Sequence, residues 1–174
     1  AHAAAYVTNA FRIAWFKVHI PLAYYAAYYS IRAKAFDAGY MIFGKEKVKN
    51  KMKEIEVKNQ KKEATKAELD MYDDLEIVLE MYERGFEFLP VDLYESEATK
   101  FKIQDNKLRP PLNSIPGFGT VAAQGIVQAR KDGKFMSIDD LKIRAKIGAS
   151  GTELLKEFGC LEGMSQSNQL SLFG

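Results

Sequence analysis

The sequence predicts a mainly α fold with one small extended (β) segment, and three observations carry that expectation. Apolar residues recur at helical spacing near the N-terminus. Residues 46–84 are dense in Lys, Glu, Met and Leu, which are strong helix formers. Beyond Pro110-Pro111, short apolar segments alternate with glycine, the mark of short helices joined by tight turns. The length of 174 residues allows one domain or two small ones.

Taken in order, Val7, Phe11, Ala14, Trp15 and Val18 line one face of a first helix. Pro21 ends it by biasing Ile20 away from helical geometry. The same proline suits the first turn of a second helix, whose stripe is Leu22, Tyr25, Ala26 and Tyr29. Gly39 and Gly44 mark an irregular junction. Residues 46–84 read as two helices, broken between Asn59-Gln60 and Thr65, with Gly85 as the C-terminal stop. Phe86, Phe88, Val91 and Leu93 around Pro90 predict extended chain as far as Tyr94. Phe101-Lys102-Ile103 before Gln104-Asp105-Asn106 predicts a short strand and turn. The expected organisation is 1–85 helical, 86–163 an extended lead-in followed by short helices, and 164–174 a polar tail.

Composition excludes several chemistries. One cysteine, Cys160, rules out a disulfide framework and a cysteine zinc site. His2 and His19 are the only histidines, too few for a histidine-rich metal centre. No run of about 18 apolar residues occurs, and no basic leader with an apolar core opens the chain. A cytoplasmic protein without a membrane partner is expected, and the abrupt start without Met suggests a piece of something longer.

The net charge of +2 hides strong segregation. Residues 45–66 carry nine lysines against four glutamates, and 67–97 carry eleven acids against Arg84 alone. Residues 98–146 hold ten bases against four acids. Such blocks create local fields that the average conceals. For 45–97 the simplest reading is solvated helix faces. The adjacent acids Asp73-Asp74 and Asp139-Asp140 read as surface and capping charge, because neighbouring helical residues point in different directions.

The third basic block coincides with Ile115-Pro116-Gly117-Phe118-Gly119-Thr120, a turn between a helix ending at Ile115 and one starting near Thr120. Apolar-Pro-Gly-apolar-Gly is the helix-hairpin-helix pattern. Glycine adopts positive φ without a Cβ clash. The turn leaves amides unpaired at a helix N-terminus, where the dipole favours a phosphate. Pro116, Gly117, Phe118, Gly119 and Thr120 are therefore the candidate DNA-binding corner. Arg109, Arg130 and Lys131, with Lys107 and Lys134, are the candidate neutralising cations. Contacts of this kind hold a duplex without reading its bases. A turn that only packs two helices is the alternative.

A poorer copy follows. Ser137-Ile-Asp-Asp140 fits a capping box with Asp in place of Glu, opening a helix to about Ala145. Ile147-Gly148-Ala149-Ser150-Gly151 then turns into a helix over Thr152–Phe158 and reads mainly as packing. Cys160 reads as a small buried hydrophobe.

Gln169-Leu170-Ser171-Leu172-Phe173 lies one residue from the end of the sequence. Its two large apolar residues follow a polar spacer. Covering them in a partner pocket removes them from water, worth about 1.5–3 kcal/mol per side chain. Ordering the tail offsets much of that.

Several stretches together resemble one family. The tail is similar to the sliding-clamp-binding peptide of bacterial replication proteins. His2-Ala-Ala-Ala-Tyr6 and Ala14-Trp-Phe-Lys-Val-His-Ile-Pro21 resemble the fingers of bacterial replicative polymerases. Tyr24–Tyr29, Glu80-Met-Tyr-Glu-Arg-Gly-Phe86 and Asp92-Leu-Tyr-Glu-Ser96 continue the likeness, and the whole points to the PolC type of DNA polymerase III α. The resemblance implies the end of the fingers, a helix-hairpin-helix duplex-binding domain and a clamp-binding tail. It implies that the carboxylates binding two magnesium ions lie in a palm domain elsewhere, so this stretch should hold no catalytic residue, metal or cofactor. The implied partners are duplex DNA, the sliding clamp and the rest of the polymerase and replisome. His2 and Tyr6 fall on the family motif near the incoming nucleotide, whereas Arg12 and Lys17 are added for their charge alone. The tyrosines at 24, 25, 28 and 29 read as core packing before base stacking. The rival reading is a non-catalytic DNA-binding adaptor that recruits the clamp in repair or recombination. Residues 1–36 discriminate, since an adaptor has no use for fingers.

Overall fold

The computed structural model describes residues 2–167. The chain forms two compact units, one of Ala1–Leu89 with Lys100–Arg109, the other of Pro90–Thr99 with the chain from Pro110 onward. The units therefore interleave along the sequence, where the sequence suggested the consecutive stretches 1–85, 86–163 and 164–174.

The first unit is built from α1 (His2–His19), α2 (Pro21–Ile31), α3 (Ala38–Met41), α4 (Lys45–Gln60) and α5 (Lys66–Glu83). Pro21 occupies the first turn of α2, after Ile20 leaves helical geometry. Thr65 caps α5 in a reciprocal box: its hydroxyl accepts the Glu68 N–H, and the Glu68 carboxylate accepts the Thr65 N–H. Gly85, at φ +82°, ends that helix. Tyr25, Tyr29, Met41, Val48, Ile55, Leu75, Val78 and Met81 form the core, closed by Phe88, Phe101 and Leu108. Tyr25 and Tyr29 thus do pack inside, and their rings stack at 6.1 Å.

The strands β1 (Lys102–Gln104) and β2 (Lys107–Arg109) pair antiparallel, with Ile103 opposite Leu108. Asp105 and Asn106 both take positive φ, as a two-residue hairpin turn requires. Phe88 bridges Leu108 in parallel, so the extended chain is real at residues 87–89. It does not continue to Tyr94. The Asp92 carboxylate accepts the Tyr94 and Glu95 amides and folds that stretch into a turn.

No residue of α1 is buried, and Phe11 is 72% exposed. One expectation needs correction in this unit. Asp74 is not surface charge. It is buried on α5 and its Oδ2 accepts the Ala35 N–H at 3.0 Å. Burial, the largest influence, pushes its carboxyl up to about 6.

The second unit contains a 3₁₀ turn (Leu112–Ser114), α6 (Thr120–Ala129), a second 3₁₀ turn (Arg130–Asp132), α7 (Ile138–Ala145) and α8 (Ala149–Glu157). Its core includes Leu93, Leu112, Ile115, Phe118, Ile126, Leu141 and Leu155. α8 starts three residues earlier than the sequence indicated, since Gly148 rather than Gly151 is its N-cap. α6 crosses α7 so closely that a Cβ on Gly125 would meet the Ala145 carbonyl oxygen at 2.5 Å. Only glycine permits that approach.

Candidate nucleic-acid interface

The corner at Pro116–Thr120 is built from a reverse turn. The Phe118 N–H donates to the Ile115 carbonyl at 3.0 Å, and Gly117 has φ +77°. Proline followed by a positive-φ glycine is the chemistry of a type II turn. Phe118 points inward and is buried, which anchors the corner, while Pro116, Gly117, Gly119 and Thr120 are exposed.

α6 then starts at Gly119 with no side chain capping it. The amides of Gly119, Thr120, Val121 and Ala122 have no acceptor among the described residues. A Cβ on Gly119 would meet nothing within 4 Å. The open space lies on the outside of the corner, where an anion can approach the helix start. A Cβ on Gly117 would meet Leu154 Cδ1 at an ordinary 3.5 Å, so backbone conformation rather than crowding requires glycine there.

The second turn repeats this arrangement with different residues. Lys146 supplies the left-handed conformation, at φ +55°, that closes α7. α8 begins at Gly148 with no side-chain cap, and the amides of Ala149, Ser150 and Gly151 have no acceptor among the described residues. Gly148, Ala149 and Ser150 are exposed. Gly151 serves packing: a Cβ there would meet Phe118 Cε2 at 3.3 Å. The two turns are thus in contact through Phe118. The sequence reads the second mainly as packing, with phosphate contact as the alternative, because it lacks the proline.

The cations divide sharply. Lys131 is exposed and bonds Gln128 in its own turn of chain, at 3.0 Å. Lys134 is exposed, with its ammonium 5.8 Å from the Tyr94 ring centre. Arg130 is half-buried. Its Nη1 donates to the Leu93 carbonyl at 3.0 Å and the Ser96 carbonyl at 2.7 Å, clamping the 90–99 segment to the end of α6. Arg109 is buried in the first unit, where its Nε donates to Gln104 at 2.8 Å. Lys107 pairs with Glu87 there at 2.6 Å. β2, with Lys107 and Arg109, belongs to the first unit, and Arg130 is bonded within the second. Arg144, which sequence reasoning passed over, holds the Ala129, Gly133 and Lys134 carbonyls and the Asp140 carboxylate.

Asp140 is held below the usual carboxylate range, first by the Met136 N–H and then by Arg144. Cys160 is largely enclosed, and burial pushes its thiol up to about 12, so it is unreactive as a thiolate. On α1, His2 packs edge-on against Tyr6 at 4.6 Å. Tyr6 and Arg12 are exposed, and Lys17 pairs with Glu80 at 2.6 Å. Gln169, Leu170, Ser171, Leu172 and Phe173 lie outside the described residues.

The carboxylates present do not fit a two-magnesium centre. Asp74 turns to a backbone amide and Asp140 caps a helix start. Among the described residues no group of three or more His, Cys, Asp or Glu side chains can hold a metal ion. No described helix is long and apolar enough to cross a membrane.

Comparison with known proteins agrees with this geometry. Residues 85–170 match the helix-hairpin-helix motif family. Over 173 residues, 99% of its length, the chain is 50% identical to DNA polymerase III PolC-type of Caldanaerobacter subterraneus subsp. tengcongensis. It is 49% identical over the same span to the proteins of that name from Clostridium perfringens and Streptococcus pneumoniae. The chain belongs to the PolC-type DNA polymerase III family. It spans 12% of the length of these relatives. The PolC match runs through α1–α5 as well as the hairpins, a stretch that a clamp-recruiting adaptor has no reason to carry.

Proposed function

We propose that this chain is the duplex-holding and clamp-tethering part of a replicative DNA-directed DNA polymerase of the cytoplasm. The Pro116–Thr120 corner receives a backbone phosphate on the amides of Gly119 to Ala122, and Lys131 and Lys134, exposed beyond the far end of α6, supply countercharge to other phosphates of the duplex. The observation that carries this reading is the exposed glycine start of α6, whose first amides lack acceptors among the described residues. The second start, at Gly148, offers the same donors to a second phosphate. Nothing in this arrangement reads base edges, so binding is indifferent to sequence.

The Gln169–Phe173 peptide docks Leu172 and Phe173 in a pocket of the sliding clamp. Neither attachment need be tight. Two weak contacts on one assembly raise effective concentration, which keeps the enzyme on its template. Nucleotidyl transfer and its magnesium ions belong to residues outside this chain, so the chain alone does not polymerise.

The test is a salt titration of the chain with two duplexes of unrelated sequence. Equal affinities are expected, with a log–log slope of roughly −2 to −4 for about two to four phosphates. A slope near zero removes phosphate holding from the reading. Leu172→Ala with Phe173→Ala should abolish clamp binding in calorimetry and leave duplex affinity unchanged.

A further inference from the structure

The first amides of α7 are satisfied from two different places. Ser137 takes one of them, since its hydroxyl accepts the Asp140 N–H at 3.1 Å. The two before it are met by the far end of the chain. The Ile138 N–H donates to the Ser165 carbonyl at 2.9 Å, and the Asp139 N–H donates to the Gln166 carbonyl at 3.1 Å. A side chain reinforces the seat, with Gln166 Nε2 donating to Asp139 Oδ1 at 3.1 Å.

The register makes this more than a chance surface contact. Consecutive carbonyls of one stretch meet consecutive amides of a helix start, and those amides have no partner inside their own helix. Ile138 is buried, so water is poorly placed to replace the Ser165 carbonyl. Upstream, Leu161 is buried and its carbonyl accepts the Met164 N–H at 3.1 Å. The chain is therefore tied to the second unit as far as Gln166.

We propose that Ser165 and Gln166 moor the end of the chain on α7, so that the Gln169–Phe173 peptide hangs on a leash of two residues, Ser167 and Asn168. The proposal rests on the clamp-tethering reading above and supplies what that reading leaves open, the place on this unit where the clamp is held. Three residue steps reach at most about 11 Å, so Gln169 begins within that distance of the α7 start. α7 has 8 residues and a length of about 12 Å. Its other end leads into the Gly148 start of α8. The clamp is thus held at one end of a short helix whose opposite end carries a phosphate-binding corner. Ser165 and Gln166 are positioning residues, acting only through where they place the peptide. So short a leash gives a high effective concentration, which falls steeply when it is lengthened.

The experiment uses the full-length polymerase with a Gly-Ser insertion of about six residues at one of two positions. Between Ser167 and Asn168 it lengthens the leash itself, and affinity for a clamp-loaded duplex should fall roughly eightfold, as the −3/2 power of length. Between Gly163 and Met164 the same insertion lies behind the mooring and should cost less than about twofold. Equal losses from the two positions overturn the proposal. Deuterium exchange reads the mooring without any clamp. Truncation after Ser167 should leave the Ile138 and Asp139 amides protected. Truncation after Gly163 should raise their exchange several-fold while the α6 amides stay as they were. Unchanged exchange at Ile138 and Asp139 in that second truncation overturns the mooring too. A polymerase that ignores the clamp in every form sinks the tethering reading instead, and the exchange result still decides the mooring.

Discussion

The three α-helices of the second unit start in two different ways. α7 begins at Ser137, whose hydroxyl accepts the Asp140 N–H, while the Asp140 carboxylate accepts the Met136 N–H one residue before the cap. α6 and α8 begin at Gly119 and Gly148, where no side chain meets the first amides. A hydroxyl cap stabilises a helix by about 1 kcal/mol over alanine, and glycine lags it by only a few tenths. The glycine starts therefore forgo little stability and keep their donors open. What the difference teaches is that a capped start satisfies its own amides, whereas a glycine start offers them to something else.

Breaking the glycine start should have the largest consequence. Gly117→Val puts a β-branched residue at φ +77°, strain of about 1–3 kcal/mol that the turn relieves only by leaving its conformation. Duplex affinity should fall roughly tenfold or more by salt-titrated binding. Unchanged affinity would make the corner mere scaffolding.

Ser137→Ala removes the other kind of start. The unit should lose about 1 kcal/mol in denaturant unfolding, with no change in duplex affinity or salt slope. A fall in affinity would mean that α7 also faces the DNA.

Gly119→Ser converts one kind into the other. There is room for the side chain, and a serine at this N-cap takes an amide for itself. Thermal stability should rise slightly while duplex affinity drops about threefold, or about 0.6 kcal/mol. Stability and binding moving together would contradict the comparison.

The smallest effect separates the two units by pH. Asp74 is raised to about 6, so between the ordinary carboxylate value and 6 its folded state holds more protons than the unfolded chain. The first unit should gain stability as pH falls from about 7 to about 5, and Asp74→Asn should flatten that rise. Asp140 is depressed, so its contribution is present above the ordinary carboxylate value and fades as pH falls through its lowered one. Melting temperatures of Asp74→Asn and Asp140→Asn across pH distinguish the two directions.

Much of the molecule was readable from residue order because the signals are local. Pro21, Thr65 and Gly85 place helix ends, since a missing amide, a hydroxyl or a positive φ acts within one turn of chain. Ile115 to Thr120 announced its corner for the same reason: proline before a left-handed glycine dictates the turn wherever it occurs.

Partnership was not readable in that way. The sequence determined by itself that α1 has an apolar face and that cations cluster near the glycine turn. Only the tertiary structure decided that no residue of that face is buried among the described residues and that Arg130 Nη1 bonds the Leu93 and Ser96 carbonyls. Only it decided, too, that Arg109 belongs to the other unit and that Asp74 is buried on Ala35. Helix ends follow from bonds between residues at most a few positions apart, but a guanidinium or carboxylate takes its role from whichever distant backbone groups folding leaves unsatisfied beside it.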